Sequence, residues 1–353
     1  MNVFSRLKVV ASLLWAVCVF ACLPYQLAAQ EPLKNGTTAA SFLELAVDTR
    51  GVALGDAYVA TAEGPAGVWW NPGGLGMMTD IEVSFMQMNY VADIDMQNLA
   101  LAIPIPGAVS LGVMITNLGV PEDKIRTVED PEGLSGESFD ASSVALGFYV
   151  ARKFTERFSI GLGGKFINEK LHQETANAFA LDFGVLIRTN FLNNTTLGMS
   201  ITNFGSKLRF TGEDLFRQIA DRDDIAGTNQ NLPANFETDS WPLPITFRLG
   251  VATSIFERGG QKLRVSIDAL HPNNTSEYVN VGGEYTTRVG RLGQFALRGG
   301  YNTAFQDDSQ QGLTLGSGID IFVNPNFSLG IDYAYADYEF FGDIHRYSVS
   351  FKF

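Results

Sequence analysis

Apolar residues alternate with small or polar ones in run after run along this chain. The last run shows the pattern clearly: Tyr347, Val349, Phe351 and Phe353 occupy one phase, Arg346, Ser348, Ser350 and Lys352 the other. Successive side chains of a strand point to opposite faces, so each run predicts a strand with one greasy and one polar face. Alternating segments of about ten residues are the length that crosses a bilayer obliquely in a transmembrane β-barrel. The first three runs lie at 81–89, 99–105 and 109–116. Ten more are centred near Leu146, Leu162, Phe183, Met199, Leu249, Val265, Val281, Leu297, Leu315 and Ile331, and the C-terminal run makes fourteen.

Fourteen is even, as bacterial single-chain barrels require, and the connections support the count. Those at 104–107, 154–157, 190–194, 257–260, 289–292 and 324–326 are short and fall at one end, taken as periplasmic. The two long ones, 119–140 and 205–243, both fall at the other, external end. A soluble β-sandwich would also alternate, but with strands of about five or six residues; many here run nine to thirteen. The opposing phase carries Arg248, Arg264, Asp268, Glu284, Arg298 and Asp332. Facing lipid near the midplane, each would be costly, the arginines by about 2–4 kcal/mol and the carboxylates by less; facing a wet lumen they pair or stay hydrated. Aromatics near strand ends (Tyr90, Phe154, Phe191, Phe256, Phe305, Tyr338, Phe340, Phe341) are expected to form interfacial girdles.

Composition fits this class. Glycine is abundant at 36 residues, and the net charge of −13 with no basic patch argues against a nucleic-acid partner. The first 29 residues have the form of a signal peptide: Arg6 and Lys8, an apolar stretch from Val9 to Leu23, and a cleavage site near Gln26-Leu27-Ala28-Ala29. Removal would leave 23 basic and 38 acidic residues, a net −15. Both cysteines, Cys18 and Cys22, fall inside it, so the mature chain would hold no disulfide and no cysteine metal site. Val19-Phe20-Ala21-Cys22 is a poor lipoprotein box, which leaves lipidation at Cys22 as the lesser alternative.

The predicted organisation is a signal peptide at 1–29, an N-terminal plug segment at 30–80 and a barrel at 81–353. Residues 30–80 are rich in Ala, Gly and Thr and lack long alternation; 42–46 and 51–62 are expected as short helices, and Asn71-Pro72-Gly73-Gly74 as a turn. A barrel of this size lies between the filled eight-stranded kind and open porins, so its lumen needs a filling. Arg50 and Asp56 are candidate tethers to lumen charges, and Asn71-Pro72 a rigid launch for the first strand, with ligand contact as the lesser reading. The alternative is a periplasmic arm loosely attached outside the barrel.

Three stretches carry a family resemblance: Ala40-Ser41-Phe42-Leu43-Glu44-Leu45, Thr49-Arg50-Gly51-Val52-Ala53-Leu54-Gly55-Asp56-Ala57-Tyr58-Val59-Ala60, and Trp70-Asn71-Pro72-Gly73-Gly74-Leu75. Together they resemble the N-terminal signature of the PorV/PorQ outer-membrane proteins, whose fold is similar to the FadL transporters. Leu54-Gly55-Asp56-Ala57 stands where that family has Met-Gly-x-Ala, and Gly73 where alanine is usual. The resemblance implies a fourteen-stranded barrel with an N-terminal plug. It also implies a part in type IX protein secretion, binding cargo proteins and translocon subunits.

No enzymatic chemistry stands out and no cofactor is expected. His172, His271 and His345 lie in or near external loops without close-spaced partners, so no metal site is expected. Gly161-Leu162-Gly163-Gly164-Lys165 lacks the first glycine of a phosphate loop and has Phe166 where Ser or Thr must bind magnesium. Its glycines suit a packed plug better. The external connections are acidic: 119–140 holds seven carboxylates against two basic residues, and a short helix is expected over 213–224. They form either a solvated cap or a docking surface for a partner or divalent cations. Two functions follow: a protein-handling secretion subunit, or a transporter moving hydrophobic small molecules across the outer membrane, with membrane lipid as a partner in both.

Overall fold

The structure, a computed structural model, describes residues 36–353 apart from 135, 137, 192–193, 220–231, 305, 307–308, 310 and 340–341. The signal segment with Cys22, and the girdle candidates Phe305, Phe340 and Phe341, lie outside the described residues.

Fourteen antiparallel strands close into a barrel, as the alternation predicted. They are β1 (Glu82–Asn89), β2 (Asp95–Pro104), β3 (Ser110–Lys124), β4 (Ser138–Thr155), β5 (Phe158–Leu171), β6 (Glu174–Arg188) and β7 (Thr196–Gly205). The second half comprises β8 (Thr246–Arg258), β9 (Gln261–Pro272), β10 (Tyr278–Val289), β11 (Gly293–Ala304), β12 (Gln311–Asn324), β13 (Phe327–Tyr338) and β14 (Gly342–Lys352). Each strand pairs with its chain neighbours, and β1 pairs with β14 to shut the ring, Glu82 opposite Lys352 and Asn89 opposite His345. Closure leaves no edge of unpaired backbone groups, the condition for strands to stand in lipid. Among the described residues no helix is long and apolar enough to cross a membrane.

The two faces separate as the period of two requires. Leu99, Phe148, Leu162, Leu249, Leu297 and Tyr347 are exposed on the outside. Arg248, Asp268, Glu284 and Arg298 are buried on the inside. Tyr338 departs from its expected place in a girdle: it is buried and meets Tyr90 edge to face at 6.2 Å. It falls in the inward phase of β13, and phase outranks nearness to a strand end. Phe154, Phe191 and Phe256 are exposed, as expected.

Two connections differ from expectation. β3 and β4 stay paired through Asp123 opposite Phe139, so the loop expected over 119–140 shrinks to 125–137. Apolar alternation stops where lipid stops, whereas backbone pairing continues into water. The helix expected over 213–224 is, in its described part, a 3-10 turn (Glu213–Leu215) followed by a short strand (Phe216–Ile219) that pairs with Leu232–Asn235.

Residues 36–80 touch inward-facing positions on every side of the barrel. The 3-10 turn Pro72–Met77 packs on β3, β4, β5 and β6, and the one-turn helix α1 (Thr49–Ala53) on β11 to β14. The helix expected over 51–62 stops at Ala53, because Gly55 and Asp56 take left-handed φ of 63° and 59°. A Cβ on Gly55 would stand 2.5 Å from the Tyr301 backbone nitrogen, so this turn presses directly on β11 and admits only glycine.

Candidate functional site

The barrel interior holds three features: a charge cluster fixing the N-terminal segment, a row of backbone contacts, and two cavities beside the segment's first turn.

Arg50, at the start of α1, is presented by Asp48, whose carboxylate accepts the Arg50 N–H and caps the turn. Its guanidinium forks onto Glu284 of β10, with Nε to Oε2 and Nη2 to Oε1 both at 2.8 Å. Nη1 reaches Glu63 at 2.9 Å, and Arg264 of β9 approaches the same carboxylate at 3.5 Å. Arg298 of β11 donates Nε to Glu284 at 2.8 Å and also pairs with Asp332 of β13. Three guanidiniums thus alternate with three carboxylates, joining the segment to four strands. A two-pronged arginine–carboxylate pair is among the more strongly directional polar contacts.

The other sequence candidates lie elsewhere on the wall. Asp268 is fully buried, and its Oδ2 accepts the Val59 N–H at 2.8 Å. Arg248 donates to Thr202 at 2.7 Å and stacks over Trp69 at 4.6 Å. Asp56 forms no ion pair with a basic side chain among the described residues; it accepts from Asn302 Nδ2 at 2.6 Å. Asn71 donates Nδ2 to the Val59 and Val185 carbonyls, each at 2.9 Å, and accepts the Gly73 N–H. Pro72 lies buried beside it, opening the 3-10 turn.

Sequence reasoning left out the Lys165–Asp182 pair, 3.0 Å apart and buried between β5 and β6. Lys165 does occupy the inward phase of its strand, which is the signal that could have found it. Arg346 is the other omission: it is 1% exposed, and its Nε and Nη1 have no hydrogen-bond partner among the described residues. No group of three or more His, Cys, Asp or Glu among the described residues is placed to hold a metal.

Both cavities lie toward the end that carries the long connections. One, of about 580 Å³, has an apolar wall that includes Ala39, Phe42, Leu45, Ile94, Leu118 and Trp241. The other, of about 330 Å³, is predominantly polar, with Glu44, Asp56, Arg248, Tyr278, Asn280 and Asn302 in its wall. Ser41, Leu45 and Tyr90 face both.

Burial pushes the Asp56 carboxyl up to about 6, against the pull of Arg346, Arg248 and the Asn302 amide. A carboxyl that holds its proton more tightly folded than unfolded favours the fold below its unfolded value, and that contribution fades as pH rises from about 4 to about 6. Asp56→Asn should flatten this part of the melting-temperature profile and raise the melting temperature at pH 8 relative to the parent. A tryptophan-fluorescence melt from pH 4 to 8 measures it; an unchanged profile would remove Asp56 as the titrating group.

No known family model matches the chain, and no curated protein matches it. Solved structures do. The CymD monoaromatic hydrocarbon channel superposes with a TM-score of 0.57 at 12% identity, over 87% of this chain and 97% of that one. The Pseudomonas putida toluene transporter TodX gives 0.55 at 11% identity, over 87% and 98%. A Pseudomonas aeruginosa FadL homologue gives 0.50 at 10% identity, over 87% and 98%. At such identities the likeness is one of fold. This chain has the barrel fold of FadL-like outer-membrane transporters.

Proposed function

We propose that the protein stands in the outer membrane and passes hydrophobic small molecules inward, with residues 36–80 as the plug that holds and meters them. The observation that carries this reading is the apolar cavity of about 580 Å³ between the N-terminal segment and the barrel wall. A hollow of that size and lining has room for a small apolar ligand. The fold shared with channels and transporters of aromatic hydrocarbons supports it. The apolar outer face and closed ladder supply the membrane fit.

The secretion reading takes second place. Its signature residues Thr49, Gly51, Trp70, Asn71 and Pro72 are all buried against neighbours inside the barrel. Their pattern is explained by how the segment packs, whatever the barrel carries. What favours a protein partner is the paired extension of β3 and β4 past Gly119, which carries Glu122 and Asp123 beyond the end of β2. Co-purification of the intact barrel with a translocon would support it.

Uptake decides for transport. Cells making the protein should accumulate a radiolabelled monoaromatic hydrocarbon faster than cells lacking it, and Leu118→Trp, which narrows the apolar cavity, should cut the difference several-fold. Equal uptake with and without the protein across a panel of hydrophobic probes would overturn the reading.

A further inference from the structure

Passage of a bare hydrocarbon leaves the second cavity unexplained. Its wall brings together five buried side-chain atoms that have no hydrogen-bond partner among the described residues. Three are donors, Trp70 Nε1, Arg248 Nε and Asn280 Nδ2; two are acceptors, Asp56 Oδ1 and Asn302 Oδ1. Buried polar atoms in folded proteins are nearly always paired, so five unpaired ones around one hollow mark a place where pairing is completed by something else. These atoms have almost no accessible surface, so a guest must draw the side chains toward itself to reach them.

The mixture of donors and acceptors selects the chemistry. A carboxylate offers only acceptors. It would leave Asp56 and Asn302 unmatched and meet a second carboxylate, Glu44, across the same hollow. An ammonium offers only donors and would leave Trp70, Arg248 and Asn280 unmatched. A hydroxyl is both donor and acceptor, and several hydroxyls on one ring match the whole set. Trp69, Trp70 and Tyr278 are among the aromatic residues of the cavity wall.

We infer that the polar cavity binds the neutral, hydroxyl-rich head of an amphiphile, a sugar-like or polyol group, whose apolar portion lies in the neighbouring apolar cavity. Ser41, Leu45 and Tyr90 border both cavities, so the two lie side by side, and one molecule occupies both when these side chains part. This inference rests on the passage reading for its apolar half only.

The test uses the whole barrel in phosphatidylcholine nanodiscs, with tryptophan fluorescence as the readout; Trp69 and Trp70 face the polar cavity and Trp241 the apolar one. Three probes have matched eight-carbon chains: octyl glucoside and octanoate, each below its micelle concentration, and octan-1-ol below its solubility limit. Octyl glucoside should bind at least about tenfold more tightly than octan-1-ol, the gain expected from one or more added neutral hydrogen bonds. Asn302→Ala and, separately, Asn280→Ala should erase most of that margin, weakening octyl glucoside binding several-fold more than octan-1-ol binding. Equal binding of the glucoside and the alcohol would overturn the head-group inference, assign the hollow to water and leave the passage reading standing. Tightest binding by octanoate would overturn it in favour of an acid site. If no probe binds, both readings fall. Should the variants fail to fold, the three-probe comparison on the unaltered protein decides alone.

Discussion

Gly161→Ala is expected to destabilise the barrel by about 3 kcal/mol, the upper end of ordinary overpacking. The added Cβ would stand 2.2 Å from the carbonyl carbon and oxygen of Pro72 and 2.7 Å from the Gly73 nitrogen. These are backbone atoms, and the turn that carries them is held by Asn71 on the Val185 carbonyl of the next strand. No rotamer change relieves the contact, so either the segment or the wall must shift. Gly164 provides the control: it belongs to the same strand, and a Cβ there meets nothing within 4 Å. Urea unfolding of the reconstituted barrel should show a large loss of midpoint for Gly161→Ala and almost none for Gly164→Ala. Equal midpoints for the two variants would mean that Pro72 does not press on β5.

Arg50→Ala is expected to cost about 3 kcal/mol in the attachment of residues 36–80, the lower end for breaking a buried ion pair from one side. The lower end applies because Glu284 keeps Arg298 after Arg50 is gone. Glu63 keeps only the longer contact to Arg264. The barrel ladder does not involve Arg50, so its unfolding midpoint should move less than the segment's own stability. Limited proteolysis reads the segment: cleavage within 36–80 should quicken by about a hundredfold, the factor that corresponds to roughly 3 kcal/mol when cleavage goes through an opened state. Arg50→Lys keeps the charge but loses the fork, and should fall between. Parent-like cleavage of Arg50→Ala would show that the segment is held by packing alone.

The resemblance over residues 40–75 and the fold likeness speak about different things. The first concerns positions that lie inside the barrel, where Gly51 makes room for the Trp70 ring and Asn71 bridges Val59 to Val185. Such contacts constrain sequence through close packing. The cavities take part of their walls from these stretches, Phe42 in the apolar one, Glu44, Asp56 and Trp70 in the polar one, and Ser41 and Leu45 in both; the rest comes from residues that no motif marks, among them Leu118, Phe210 and Trp241 in one and Asn280 and Asn302 in the other. A pattern that packing explains is compatible with more than one cargo, and the lining of the cavities is the better guide to what enters.

The sequence by itself determined the barrel, its fourteen strands, the phase of each strand and the inward aim of Arg248, Asp268, Glu284 and Arg298. Lipid imposes these rules one residue at a time, through alternation and through the cost of a misplaced charge, so they can be read locally. Only the tertiary structure decided which charges meet. Arg50 and Glu284 are separated by 234 positions, and Asp56 meets Asn302 across 246. It also decided that Tyr338 turns inward, that β3 and β4 stay paired beyond the apolar run, and that hollows remain beside the Ser41–Leu45 turn. These depend on distances between segments remote in the chain, and no local pattern encodes the volume left over when they pack.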